Sequence, residues 1–116
     1  MQTVVETPSF LSDAKALGIT ETERTAIVTW IAANPEAGDV IKGTGGACKV
    51  CFAGKGKGKS GGYRVITCYS GPEMPVFLLN VFAKNEKTDV TPKERHTLRT
   101  LLSAVVKAYK TRGKTR

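Results

Sequence analysis

Three β-prone runs, Cys48–Ala53, Tyr63–Tyr69 and Val76–Ala83, succeed one another with no helix-length segment between them. Strands joined this way pair antiparallel, because a parallel partner needs a crossover of a dozen or more residues. The chain is therefore predicted to contain a three-strand antiparallel meander. The second connection, Ser70-Gly71-Pro72-Glu73-Met74-Pro75, reads as a hairpin turn. The first, Gly54–Tyr63, reads Gly-Lys-Gly-Lys-Gly-Lys-Ser-Gly-Gly-Tyr. Glycine at every second position removes side-chain packing and permits positive φ, which predicts a cationic hairpin loop rather than helix or regular strand.

The flanks carry helix punctuation. Thr3–Glu6 is a short β-prone run, and Pro8 suits the first turn of a helix that stops at Gly18. Thr20 with Glu23 three residues on forms a capping box. Ala26, Ile27, Trp30, Ile31 and Ala33 follow at helical spacing until Asn34-Pro35, and Trp30 is expected in the core. Gly38–Ile41 leads into a turn-rich connector, Gly43-Thr44-Gly45-Gly46. A second capping box, Thr91 with Glu94 around Pro92, opens a last helix with Leu98, Leu101, Leu102, Val105 and Val106 on one face. Lys107, Lys110 and Arg112 sit near its end, where the helix dipole favours cations. The order strand, helix, helix, meander, helix predicts a small α+β domain over residues 1–112 with a basic tail at 113–116. One sheet face is expected under helices and the other as an open concave surface.

Charge is distributed unevenly along the chain. Residues 1–39 hold six acids and two bases, whereas residues 40–72 hold six bases and no acid, within a net charge of +8. Such a window points to a phosphate-bearing partner, because neutralising phosphates releases condensed counterions. A solvated basic face is the plainer alternative. No apolar run approaches the ~18 residues of a membrane span, and the N-terminus lacks a signal-peptide pattern. The expected setting is cytoplasmic, where the odd set of Cys48, Cys51 and Cys68 should stay unpaired.

Three familiar chemistries fail on spacing. Gly58-Lys59-Ser60 resembles the end of a phosphate-binding P-loop, but the opening glycine position is Ala53 and the following segment is strand-like, not helical. Cys48 and Cys51 are three apart on a strand, so they face opposite ways and cannot converge on zinc. Neither is a thioredoxin-like pair, since no helix begins at Cys48. His96 lies in an early turn of the last helix without a visible partner and reads as a surface residue.

What remains is a set of cations with strand tyrosines. A lysine flanked by like charges can take the proton of a ribose 2′-hydroxyl, and an arginine can stabilise charge developing on the phosphate. Tyr63 and Tyr69 could stack on bases. The same residues could instead only grip the backbone, and such clusters are commoner than active sites.

The blocks Gly38-Asp39-Val40-Ile41-x-Gly43-Thr44-Gly45-Gly46, Phe52-Ala53-x-Lys55 through Ile66, and Phe77-Leu78-Leu79 through Phe82-Ala83-Lys84-Asn85-Glu86 resemble the HigB branch of the RelE/ParE toxin superfamily. The resemblance implies a RelE-like fold and the toxin of a type II toxin–antitoxin system. It also implies a growth-arresting endoribonuclease that cleaves mRNA in the ribosomal A site without a metal or other cofactor. The implied partners are the ribosome and its mRNA, a cognate helix-turn-helix antitoxin, and operator DNA only through the antitoxin complex, with no membrane. Matched by motif, Arg64 is the main transition-state cation, Lys84 the second catalytic charge, and Lys57 and Lys59 contact or activate the RNA. Lys49, Lys55, Tyr63, Tyr69 and Asn85 are the implied RNA-binding residues. The family pattern before the loop reads Arg-Lys-Val-Arg-Phe-Ala, whereas here it is Cys48-Lys49-Val50-Cys51-Phe52-Ala53. Two lost cations imply weaker phosphate affinity and an attenuated toxin. A non-catalytic RNA- or ribosome-binding module, or a corepressor acting with the antitoxin, is the alternative.

Overall fold

A computed structural model of the chain describes residues 2–52, 62–71, 73–84 and 90–114, with side chains to residue 109. The elements in order are β1 (Val4–Glu6), α1 (Pro8–Ala16), α2 (Glu21–Ala33), β2 (Asp39–Val40), β3 (Ala47–Phe52), β4 (Tyr63–Cys68), β5 (Val76–Ala83) and α3 (Pro92–Lys114). The expected α+β class holds, and α3 continues through Gly113 to Lys114, into the stretch expected as tail.

Helix ends follow the caps written in the sequence. The Thr20 hydroxyl accepts from the Glu23 N–H at 3.1 Å while the Glu23 carboxylate accepts from the Thr20 N–H at 2.9 Å. Thr91 and Glu94 repeat the arrangement at 3.1 and 2.8 Å. Each such cap contributes about 1 kcal/mol by satisfying N–H groups that the helix leaves open. Gly18, at φ +74°, ends α1 in the left-handed region that glycine adopts without a Cβ clash.

The sheet has five strands in the order β1-β5-β4-β3-β2. Its β3-β4-β5 centre is the expected antiparallel meander, with Phe52 opposite Tyr63, Cys51 opposite Arg64, and Arg64 opposite Phe82. A bulge interrupts the β4–β5 register between Ile66 and Thr67. Two features depart from the expectation. β1 pairs with β5 in parallel, Val4 to Val76, which makes the sheet mixed, and β2 adds a two-residue edge strand.

Both faces of the sheet are covered, contrary to the expected open face. On one face Phe10, Ala14, Ile27 and Ile31 of α1 and α2 pack on Val65, Val76, Leu78 and Val81. On the other, Leu98 and Leu102 of α3 pack on Ile66, Cys68, Phe77 and Phe82. The physical reason lies in β4 and β5, where Val65-Ile66 and Val76-Phe77-Leu78-Leu79 are apolar at consecutive positions, so each strand needs cover on both sides. Fully burying one such side chain contributes about 1.5–3 kcal/mol.

Thr7 joins the first strand to the first helix. Its hydroxyl accepts from the Phe10 N–H at 3.3 Å as the α1 cap and donates to the Leu78 carbonyl at 2.7 Å. Beyond Leu78, β1 no longer covers β5. Asp13 of α1 takes over there, accepting from the Val81 N–H at 3.2 Å and from Asn80 Nδ2 at 3.0 Å.

Trp30 departs from its expected core position. It is 45% exposed, with its ring edge-on to Phe52 at 5.5 Å between centroids. Together with Ala26, Ile27, Phe52 and Tyr63 it lines an apolar groove of about 580 Å³ on the α2 side.

Candidate functional site

Strand alternation decides which side chains meet. Successive residues point to opposite faces, so Arg64 shares the face of Ile66 and Cys68, on which α3 packs. Phe82 lies directly opposite Arg64 on β5, and Lys84, two residues further, stands on that same face. The diagonal relation of Arg64 and Lys84 corresponds to about 7–8 Å between positions, within reach of two long side chains. The Lys84 N–H donates to the Gly62 carbonyl at 2.8 Å, which carries the pairing past the last regular residue of β5. From β3, Cys51 faces Arg64 and Lys49 faces Ile66, so both belong to this surface.

α3 covers only part of that face. Leu102 comes within 3.9 Å of a Cβ built on Gly46, and Tyr109 stacks edge-on against Phe77 at 6.1 Å, both at the Ala47–Cys68–Phe77 end. At the other end Cys51 and Lys84 are exposed and Arg64 is half-buried. The open surface is thus one end of the α3 face rather than a whole face of the sheet.

The electrostatics of this end favour an anion. Neither Arg64 nor Lys84 is ion-paired among the described residues. The Arg64 guanidinium donates from Nη1 to the Cys51 thiol at 3.4 Å, and its Nε is shut away from solvent with no hydrogen-bond partner among the described residues. Sulfur is a weak acceptor, so this contact orients the guanidinium without the strength of a carboxylate pair. Burial pushes the Cys48 thiol up, with the Asp39 carboxylate adding to the shift. Burial also raises Cys68, partly offset by its hydrogen bond with Ser70.

The expected site residues divide. Arg64, Lys84 and Lys49 share one face. Tyr63 and Tyr69 do not join them: both are half-buried against the α1/α2 core on the opposite face. The same alternation that puts Arg64 on the α3 side turns its neighbour Tyr63 away, so the pair expected to stack RNA beside Arg64 is separated from it. Lys55, Lys57, Lys59 and Asn85 lie outside the described residues. The P-loop-like Gly58-Lys59-Ser60 lies outside them too.

Cys48 sits opposite Thr67 and Cys51 opposite Arg64, on opposite faces of β3. All three thiols are free, and no group of three potential metal ligands forms among the described residues. His96 is exposed.

Two residues were missed in the sequence. Cys51 touches Arg64, and only the hairpin register reveals it. Lys93, in the first turn of α3, lines a hollow of about 440 Å³ with Phe82, Asn80 and Val90; Asp13 and Glu94 also line it, so its charge is mixed. A lysine directly after the Pro92 helix start was the available signal.

The model of the RelE toxin of RelE/RelB toxin–antitoxin systems matches residues 4–113. The match runs from the start of β1 to the last turn of α3 and includes the Arg64 surface. The chain belongs to the RelE toxin family. As a RelE toxin it is one half of a toxin–antitoxin pair, with an antitoxin as its protein partner. No helix among its described residues is long and apolar enough to cross a membrane.

Proposed function

We propose that this RelE toxin is a ribosome-dependent endoribonuclease of the HigB type that cleaves mRNA in the A site without a metal ion. The observation that carries the reading is that Arg64 and Lys84 lie at one solvent-open end of the sheet, with no carboxylate paired to either among the described residues. An in-line attack needs three services: removal of the 2′-hydroxyl proton, stabilisation of the phosphoryl oxygens, and protonation of the departing 5′-oxygen. Arg64 supplies the second, since its planar fork matches phosphate geometry. Lys84 serves the leaving oxygen, and Lys57 or Lys59 serves as base. The products are a 2′,3′-cyclic phosphate and a 5′-hydroxyl. Lys49, Lys55 and Asn85 grip the backbone.

Cys51 stands on the Arg64 face, where a cation would add phosphate affinity, so toxicity is attenuated. Cys51→Arg steepens the salt dependence of RNA binding by about one counterion, whereas Cys48→Arg, on the other face of β3, leaves it unchanged.

The test is growth arrest on induced expression. Wild type arrests growth and Arg64→Ala does not; continued arrest by folded Arg64→Ala protein would falsify the assignment. Cleavage of ribosome-bound mRNA by the pure toxin after incubation with excess free Zn²⁺ chelator continues at the untreated rate, whereas loss of cutting would show a metal-dependent step.

A further inference from the structure

We infer that Cys51 is a positioning residue for Arg64, holding the guanidinium by a weak sulfur contact that an RNA phosphate oxygen can displace. The inference rests on the reading of Arg64 as the phosphate-facing cation. Cys51 lies directly across the β3–β4 pair from Arg64, and its Sγ accepts from Nη1 at 3.4 Å. Among the described residues this is the guanidinium's side-chain partner, while Nε is closed off from solvent without one.

Arginine carries many rotamers, and fixing one before substrate arrives removes part of the ordering cost from the reaction. The chemistry of the acceptor then matters. A carboxylate in the place of Cys51 would form a charge-assisted pair and compete with phosphate for the same N–H groups. An alanine would free the fork. A thiol is a weak acceptor, so it orients the group and yields to a phosphate oxygen. Cys51 itself is exposed, on the surface that the RNA would cover.

The two-sided prediction follows from charge. Cys51→Ala lowers the single-turnover cleavage rate on ribosome-bound mRNA about two- to tenfold, the factor one weak hydrogen bond to sulfur supports, with the substrate concentration dependence nearly unchanged. Cys51→Ser, which keeps an acceptor, recovers most of the rate. Cys51→Asp is the most damaging, at more than tenfold, and lowers the salt slope of substrate binding by about one. Unchanged rates in all three variants, or losses that simply follow melting temperature, overturn the inference.

Chemical modification of the folded wild-type protein avoids any dependence on variant folding. Iodoacetate and iodoacetamide attach to the same thiol and differ in one negative charge. With modification at Cys51 verified by peptide mass, the carboxymethyl adduct loses about tenfold more activity than the carbamidomethyl adduct. Equal losses from the two adducts refute a charge-sensitive contact with Arg64. The two readings fail differently: full activity in Arg64→Ala removes the proposed role of Arg64. An inactive Arg64→Ala beside fully active Cys51 variants removes only the role of Cys51.

Discussion

Replacing Asp13 by alanine tests how the β5 edge is finished. Once β1 stops pairing at Leu78, the Val81 N–H would face outward from the sheet without a strand partner. Asp13 supplies that partner at 3.2 Å, and the same oxygen holds Asn80 Nδ2 at 3.0 Å, tying α1 to β5. A hydrogen bond to an ionised acceptor contributes about 1.5–3 kcal/mol net when buried. Both bonds here are only part-buried, and the hollow of about 440 Å³ beside them admits water to the freed N–H. Two discounted bonds give a cost of about 2–3 kcal/mol for Asp13→Ala. Near this chain length 1 kcal/mol corresponds to about 4 °C, so the melting temperature falls by about 8–12 °C. Asn80→Ala removes one of the two bonds and costs about half as much. The double variant costs less than the two singles added, because the side-chain bond is then lost only once. The assay is thermal unfolding followed by circular dichroism for all four proteins. A shift under 2 °C for Asp13→Ala, or strict additivity in the cycle, would refute the edge-capping role.

Other outcomes follow from the same geometry. Gly62→Ala places a Cβ 2.7 Å from the Phe52 carbonyl, a backbone contact that cannot rotate away. It should cost about 1–3 kcal/mol by overpacking and loosen the strand ends that hold Arg64 and Lys84; an unchanged urea midpoint would contradict this. The raised Cys48 and Cys68 thiols retain their protons in the folded chain at pH values where the unfolded chain has begun to lose them. Stability is therefore full below the ordinary thiol range and declines as pH rises through it. Urea midpoints in reducing buffer between pH 7 and 9.5 should fall less for Cys48→Ser than for wild type, and parallel curves would exclude the thiol contribution. Alkylation should proceed at Cys51 before Cys48 and Cys68, because Cys51 is exposed and the other two are partly or fully buried; first labelling of Cys68 on mass mapping would contradict the packing.

Local signals were the legible part of this fold. The boxes at Thr20–Glu23 and Thr91–Glu94 and the Gly18 stop each act within one turn, so four or five residues determine them. The meander was legible because antiparallel neighbours need no long connection. The β1–β5 pairing was not, since Val4 and Val76 are distant in the chain and nothing local marks their contact. Cover on both faces was readable in principle: Val65-Ile66 and Val76–Leu79 break the alternation that a half-exposed strand requires. At the site, Arg64 and Lys84 fall at one end of the same pair of strands because the β4–β5 hairpin is short enough to constrain its register. The Cys51–Arg64 contact depends on register across the longer 53–62 connection, which composition does not set. Trp30 follows the apolar stripe of α2, but Ile27 and Ile31 take the buried positions of that stripe and Trp30 is left at its rim against Phe52.

The decisive measurement is primer extension on an mRNA being translated in a purified system, with wild-type toxin and with Arg64→Ala. If the Arg64–Lys84 surface cleaves RNA on the ribosome, wild type produces discrete stops within A-site codons that depend on translation, and Arg64→Ala removes them. Binding without any such cuts by wild type, or the same cuts from folded Arg64→Ala, would contradict it.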